Sequence, residues 1–208
     1  MNFKLYLFFI ISVIQYQLVY SQSKSISYRD ENFKEISKEH FENLATQKEY
    51  RWNQFENEQE VLQVLYQKQT LGKLSSQELA DLKKYLNQYK PLPNGLIMIV
   101  FYPGKDSCND LGRKSTWNLL EENFQKEVSK TGIITQYWLY KSNENLHNYH
   151  RKHIEWTLDK DQFAERLFFK MHYPCASSVI IDQEGNFVAN LGEFGAKDIY
   201  KAIEILKK

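Results

Sequence analysis

Leu96-Ile97-Met98-Ile99-Val100-Phe101-Tyr102 is an unbroken apolar run just before the midpoint of a 208-residue chain. A strand with one wet face alternates apolar and polar residues, so a continuous run predicts a strand buried on both faces. Downstream, Trp117, Leu120, Phe124 and Val128 recur at three- and four-residue steps, the mark of a helix, with Gly132 as its stop. Ile133–Tyr140 reads as a second strand, and Phe163, Leu167 and Met171 as the apolar side of another helix. Ser178–Asp182, the turn residues Gln183-Glu184-Gly185-Asn186 and Phe187–Leu191 read as a hairpin. Ile199, Ile203 and Leu206 mark a last helix. The order β-α-β-α-β-β-α predicts an α/β domain over residues 91–208. Its mixed sheet has a parallel crossover at the start, an antiparallel hairpin at the end and helices on its flanks.

Upstream the composition changes. Gly72 is the only glycine before Pro91, where the prolines also begin, so residues 22–90 read as a helical N-terminal extension. Phe33, Ile36, Phe41 and Leu44 approximate one helical stripe and Val61, Leu62 and Leu65 another. Gln47 to Gln59, with Tyr50, Trp52 and Phe55 set among polar residues, reads as a helix for packing or partner binding. Ser75-Ser76-Gln77-Glu78 is a capping-box pattern opening a helix with Leu79, Leu82, Leu86 and Tyr89 on its apolar side, closed by Pro91 and Pro93.

Residues 1–21 carry a different message. Lys4 followed by the apolar stretch Leu5–Ile14, then Val19-Tyr20-Ser21, has the layout of a secretory signal. Gln15 and Gln17 break the stretch short of the roughly 18 apolar residues that a spanning helix needs. The expectation is a secreted or periplasmic protein with no stable membrane span after signal removal. Lys and Arg number 27 against 26 Asp and Glu, which argues against nucleic-acid binding by bulk charge. Two cysteines exclude a four-cysteine zinc finger, a cysteine-ligated iron–sulfur cluster and a disulfide-dense small fold. An oxidising compartment would favour a bond between them.

The element order, with Leu96–Tyr102 leading into a loop and helix and Ala176–Gly185 covering a loop, strand and turn, resembles the thioredoxin-like superfamily over about Leu92 to Lys208. The departures are specific. The family's redox form places Cys-x-x-Cys at the first helix, where the helix N-terminus stabilises a thiolate; here Phe101–Asp110 holds Cys108 alone. Ala176 stands at the family's cis-proline position, and a trans peptide or rearranged loop is expected there. Phe101-Tyr102-Pro103 is similar to the start of the peroxiredoxin loop, but Cys108 comes two positions early and Ala176 replaces that branch's arginine.

The resemblance implies that Cys175, just before Ala176, faces the helix start bearing Cys108. Three outcomes stay open: a static disulfide or two buried thiols, a redox pair with Cys108 as nucleophile activated by the helix and Lys105 and Cys175 resolving, or a free reactive thiol. His147, His150 and His153 recur at three-residue steps, but Arg151 and Lys152 between them repel a cation, so they read as a solvated basic face. His172 near Cys175 would suit a soft-metal site, yet copper-delivering relatives carry a second loop cysteine that is missing here. No metal and no cofactor is assigned; a phosphate-binding glycine loop and a hydrolase elbow are absent from the sequence. The function expected is an extracytoplasmic thiol–disulfide protein acting through Cys108 and Cys175 on a protein thiol. The alternative is a non-catalytic binding or scaffold module that meets a protein partner and keeps the bond as structure.

Overall fold

The computed structural model describes residues 24–92, 94–110, 112–130 and 134–208. The signal-like stretch 1–21, the helix stop at Gly132 and Pro93 lie outside the described residues. The chain is a mixed α/β protein built on two sheets.

The larger sheet has six strands: β4 (Gln69–Lys73), β5 (Leu96–Tyr102), β6 (Ile134–Tyr140), β7 (Trp156–Leu158), β8 (Ser177–Ile181) and β9 (Asn186–Asn190), in the spatial order β4-β9-β8-β5-β6-β7. β5, β6 and β7 run parallel, whereas β8 is antiparallel to β5 and β9 closes a hairpin on β8. The hairpin turns at Gly185, whose φ of +85° suits glycine, and Asp182 Oδ1 accepts from the N–H groups of Glu184 and Asn186.

β5 shows why its sequence is apolar throughout. Ile97, Ile99 and Phe101 face a core shared with α2 (Ser76–Leu86) and α4 (Phe163–Phe168), through Leu82, Leu86, Ala164 and Phe168. Met98, Val100 and Tyr102 face the opposite core, shared with α3 (Glu122–Lys130) and α5 (Ala196–Leu206) through Phe124, Val128, Ile199 and Ile203. Alternate residues of one strand therefore enter two hydrophobic layers. The predicted capping box opens α2: Ser75 Oγ accepts from the Glu78 N–H at 3.2 Å and the Glu78 carboxylate accepts from the Ser75 N–H at 2.8 Å.

The expected helical extension over residues 22–90 is overturned. That span holds β1 (Ser25–Arg29), one short helix α1 (Lys38–Ala45), β2 (Tyr50–Glu56), β3 (Glu60–Gln67), β4 and α2. β1, β3 and β2 form the three-stranded sheet, β1 parallel and β2 antiparallel to β3. The physical reason is period two rather than 3.6: Leu62, Val64 and Tyr66 point into the core beside α2, while Leu65, paired with Trp52, lies on the other side. The span Gln47–Gln59, read as a helix, is mostly β2. Its turn into β3 needs neither glycine nor proline, because Asn57 Oδ1 accepts from the N–H groups of Gln59 and Glu60 at 2.8 Å each. Phe33 belongs to no helix; it sits in a turn at φ +62°.

A division of the chain at residue 90 does not match the sheet either, since β4 lies antiparallel along β9 as an edge strand. Lys68 carries the chain from one sheet to the other: its N–H donates to Glu49 O and its carbonyl accepts from Leu191 N. No helix among the described residues is long and apolar enough to cross a membrane.

Candidate functional site

The loop after β5 and the loop before β8 meet at one edge of the molecule, because their strands are antiparallel neighbours with Phe101 opposite Ser177. Cys108 and Cys175, 67 residues apart, are joined there by a disulfide with Cα atoms 5.2 Å apart. Closing a loop of that length stabilises the fold by about 4 kcal/mol on the chain-entropy account. Of the outcomes left open by the sequence, the free thiol is excluded: neither cysteine is free.

Asp106 is the hub that the sequence reading passed over. Its Oδ1 accepts from the N–H groups of Cys108 at 2.9 Å and Asn109 at 3.0 Å, winding the loop into one tight turn. Its Oδ2 reaches across to the other loop, accepting from the N–H of Cys175 at 2.8 Å and pairing with His172 Nε2 at 3.0 Å. Burial alone would raise this carboxyl, but the bonds from His172, Cys175 and Asn109 outweigh it and hold Asp106 below the usual carboxylate range. Asn109, almost wholly buried, completes the turn by donating to Gly104 O at 2.7 Å and accepting from the Asp106 N–H at 3.0 Å. The hint in the sequence was Asp two residues before Cys108, the spacing at which an Asp side chain caps its own loop.

On the opposing side, Cys175 has φ +69° and sits at the apex of a three-residue turn closed by Ala176 N donating to Pro174 O at 3.0 Å. Such turns are rare and strained for a residue with a side chain. The described peptide bonds are all trans, including the one before Ala176. Gly192 and Glu193 are also left-handed, at φ +62° and +42°, and Glu193 N donates to the same Pro174 carbonyl at 3.3 Å. This path swings the exposed Glu193 over the disulfide, with Oε1 3.9 Å from Cys108 Sγ.

Two expected activators of Cys108 are not where the resemblance put them. Among the described residues after the turn at Asp106–Asp110, helical structure begins only at Asn118, so Cys108 does not sit at the N-terminus of a described helix. Asp106 instead caps a single turn, its carboxylate accepting from the Cys108 and Asn109 N–H groups and its carbonyl from the Asp110 N–H. Trp117, read as helical, is extended and lies just outside. Lys105 points to carboxylates, 3.3 Å from Asp110 and 3.9 Å from Glu144.

A cleft of about 330 Å³ opens beside the disulfide, walled by Trp117, Tyr149, Ala176 and Phe194 with Glu193 on its rim. Trp117 is fixed by its indole N–H, which donates to Phe194 O at 2.8 Å, and by a perpendicular ring contact with Phe194 at 5.0 Å. The histidine series is dispersed: His147 lies in a short 3₁₀ turn, His150 is extended beyond it, and His153 Nε2 lies 3.0 Å from Leu120 O. Among the described residues these three do not converge on a common point. Comparison with protein-family models, with curated proteins and with solved structures finds no match for this chain, so the site is interpreted from its own geometry.

Proposed function

We propose that the chain is a thioredoxin-like protein of an oxidising, extracytoplasmic compartment, in which Cys108–Cys175 is a structural bond and the adjoining cleft docks a basic segment of a partner polypeptide. The thioredoxin-like reading is supported by the strand order β6-β5-β8-β9, parallel for the first pair and antiparallel for the other two, with helices on both faces. The observation that carries the functional half is the Glu193 carboxylate 3.9 Å from Cys108 Sγ. Exchange chemistry needs a thiolate, and a neighbouring anion without a compensating helix N-terminus opposes one. A disulfide whose reduced form is not stabilised has a low potential and stays closed. The same carboxylate, on the rim of an apolar cleft with a partly exposed indole, suits a Lys or Arg side chain arriving from outside.

One observation favours the exchange reading instead: both cysteines are only partly buried and line the mouth of the cleft, within reach of an incoming thiol. Equilibration of the mature protein with thiol redox buffers separates the two. A potential below roughly −300 mV is expected for the structural bond, and a value of roughly −120 to −270 mV would transfer the assignment to a Cys108/Cys175 redox pair. Docking is tested by titrating short lysine- and arginine-rich peptides against the oxidised protein and following tryptophan fluorescence. Basic peptides should bind, and Glu193→Gln should weaken them several-fold; equal response to acidic peptides would overturn the docking half.

A further inference from the structure

We infer that reduction of the Cys108–Cys175 bond converts this edge of the protein into a zinc site, with both thiolates and the Glu193 carboxylate as its three protein ligands. The ligand atoms of these residues lie within 4.8 Å of one another, and among the described residues they form a group of metal-binding side chains with that spacing. A tetrahedral Zn²⁺ with bonds of about 2.3 Å to sulfur and 2.0–2.2 Å to carboxylate oxygen holds its donors roughly 3.5–3.8 Å apart. The carboxylate has about an ångström to travel, within the freedom of an exposed side chain, and the sulfurs separate by turning about their Cα–Cβ bonds. The loops need not part for this. Asp106 ties them together through the Cys108, Asn109 and Cys175 N–H groups, none of which depends on the disulfide.

The chemistry balances without another protein group. A dithiol gives the S–S bond two electrons and two protons and leaves as its own disulfide. A phosphine gives the two electrons and takes oxygen from water to leave as the phosphine oxide, and the same water supplies the two protons. Either yields two thiols. Zn²⁺ then displaces both thiol protons and binds the two sulfurs, with the Glu193 carboxylate as third donor and one position open to water. Two thiolates and a carboxylate leave the filled site with a single negative charge. The mixed sulfur–oxygen set favours Zn²⁺ over Cu⁺, which prefers sulfur alone. The feature that opposes exchange chemistry, an anion beside the sulfurs, is what a cation recruits. Glu193 reaches its place along two successive left-handed residues whose backbone is fixed by Gly192 N donating to Ser177 Oγ at 3.1 Å and Glu193 N to Pro174 O at 3.3 Å. This inference does not depend on docking by the oxidised protein.

The test uses the mature protein reduced with a phosphine and freed of excess reductant, competed against a chromophoric chelator for Zn²⁺ and separately titrated with Co²⁺. One equivalent is expected to bind, with the absorption of tetrahedral thiolate-bound Co²⁺. Glu193→Gln should weaken Zn²⁺ at least tenfold, Glu193→His should restore it, and Cys108→Ser should abolish the cobalt spectrum. Binding confined to the reduced state also predicts that zinc at a hundred times its dissociation constant shifts the midpoint potential upward by about 60 mV. No competition by the reduced wild type, or equal affinity in Glu193→Gln, overturns the site. So does a reduced chain that loses its near-ultraviolet dichroism and fails to regain it with Zn²⁺.

Discussion

The two sheets of this protein solve the same problem with different sequences. In the six-stranded sheet, β5 is covered by helices on both faces and all its residues from Ile97 to Tyr102 are buried. In the three-stranded sheet, β2 pairs a face containing Asn53 and Phe55, turned toward the main body, with an outer face where Trp52 is 45% exposed. Burial on two sides is written as an apolar run, whereas partial burial on a polar strand leaves hardly any signature. The larger sheet should therefore resist unfolding through its core, and the smaller one through a few contacts at the seam. Ile99→Ala, which empties a site with no solvent exposure, should cost about 3 kcal/mol, within the 2–5 usual for such changes. Trp52→Ala should cost less than about 1 kcal/mol because its loss falls on an open face. Denaturant titration of both variants checks the contrast, and equal losses would erase it.

The same difference decides what could be read from the residues. β5, β6, the β8–β9 hairpin and α5 were legible because each writes its burial into a period, and α2 because Ser75 and Glu78 form a reciprocal cap. β2 and β3 were misread because Val61, Leu62 and Leu65 fit a helical spacing as well as a strand, and because Asn57 turns the chain where glycine or proline was awaited. β7 escaped notice because three residues, Trp156–Leu158, are too few to show a period, and its pairing with β6 is wholly tertiary. At the site, the two cysteines were legible by chemistry and their meeting was implied by the resemblance. Glu193 was not legible, because its position follows from backbone angles at residues 192 and 193 rather than from a motif.

The seam itself carries a pH signature. Tyr66 of β3 packs edge-on against Tyr173 at 4.9 Å and lies in the core of the larger sheet. Burial pushes its phenol up to about 12, with Arg51 opposing and Glu193 adding to the shift. A raised folded-state value means that the native chain keeps a proton which the unfolded chain releases near pH 10. The contribution is thus complete below pH 10 and lost as pH climbs toward 12, to the extent of roughly 2–3 kcal/mol. Several other buried tyrosines add to alkaline destabilisation, so the measurement is a difference: wild type and Tyr66→Phe compared by denaturant titration from pH 9 to 12. The gap between them should change by that amount, and parallel curves would mean that Tyr66 is not sealed into the seam.

A change smaller than that at Tyr66 probes the comparison most directly. Asn53 sits on the inward side of β2, opposite Val64, and its amide donates to His172 O at 2.7 Å, three residues from Cys175. This one side-chain bond links the three-stranded sheet to the strand-leading loop of the larger one. Removing it by Asn53→Ala should cost about 1 kcal/mol, since it withdraws a donor from a partly buried carbonyl. If the small sheet is a separately opening unit, that cost will not be shared equally. Amides of β2 and β3 should exchange about fivefold faster, while those of β5 and β8, protected by the two-sided core, keep their wild-type rates. A uniform acceleration across both sheets would instead show that they open together, and that the difference in their sequences reflects coverage alone and not independent stability.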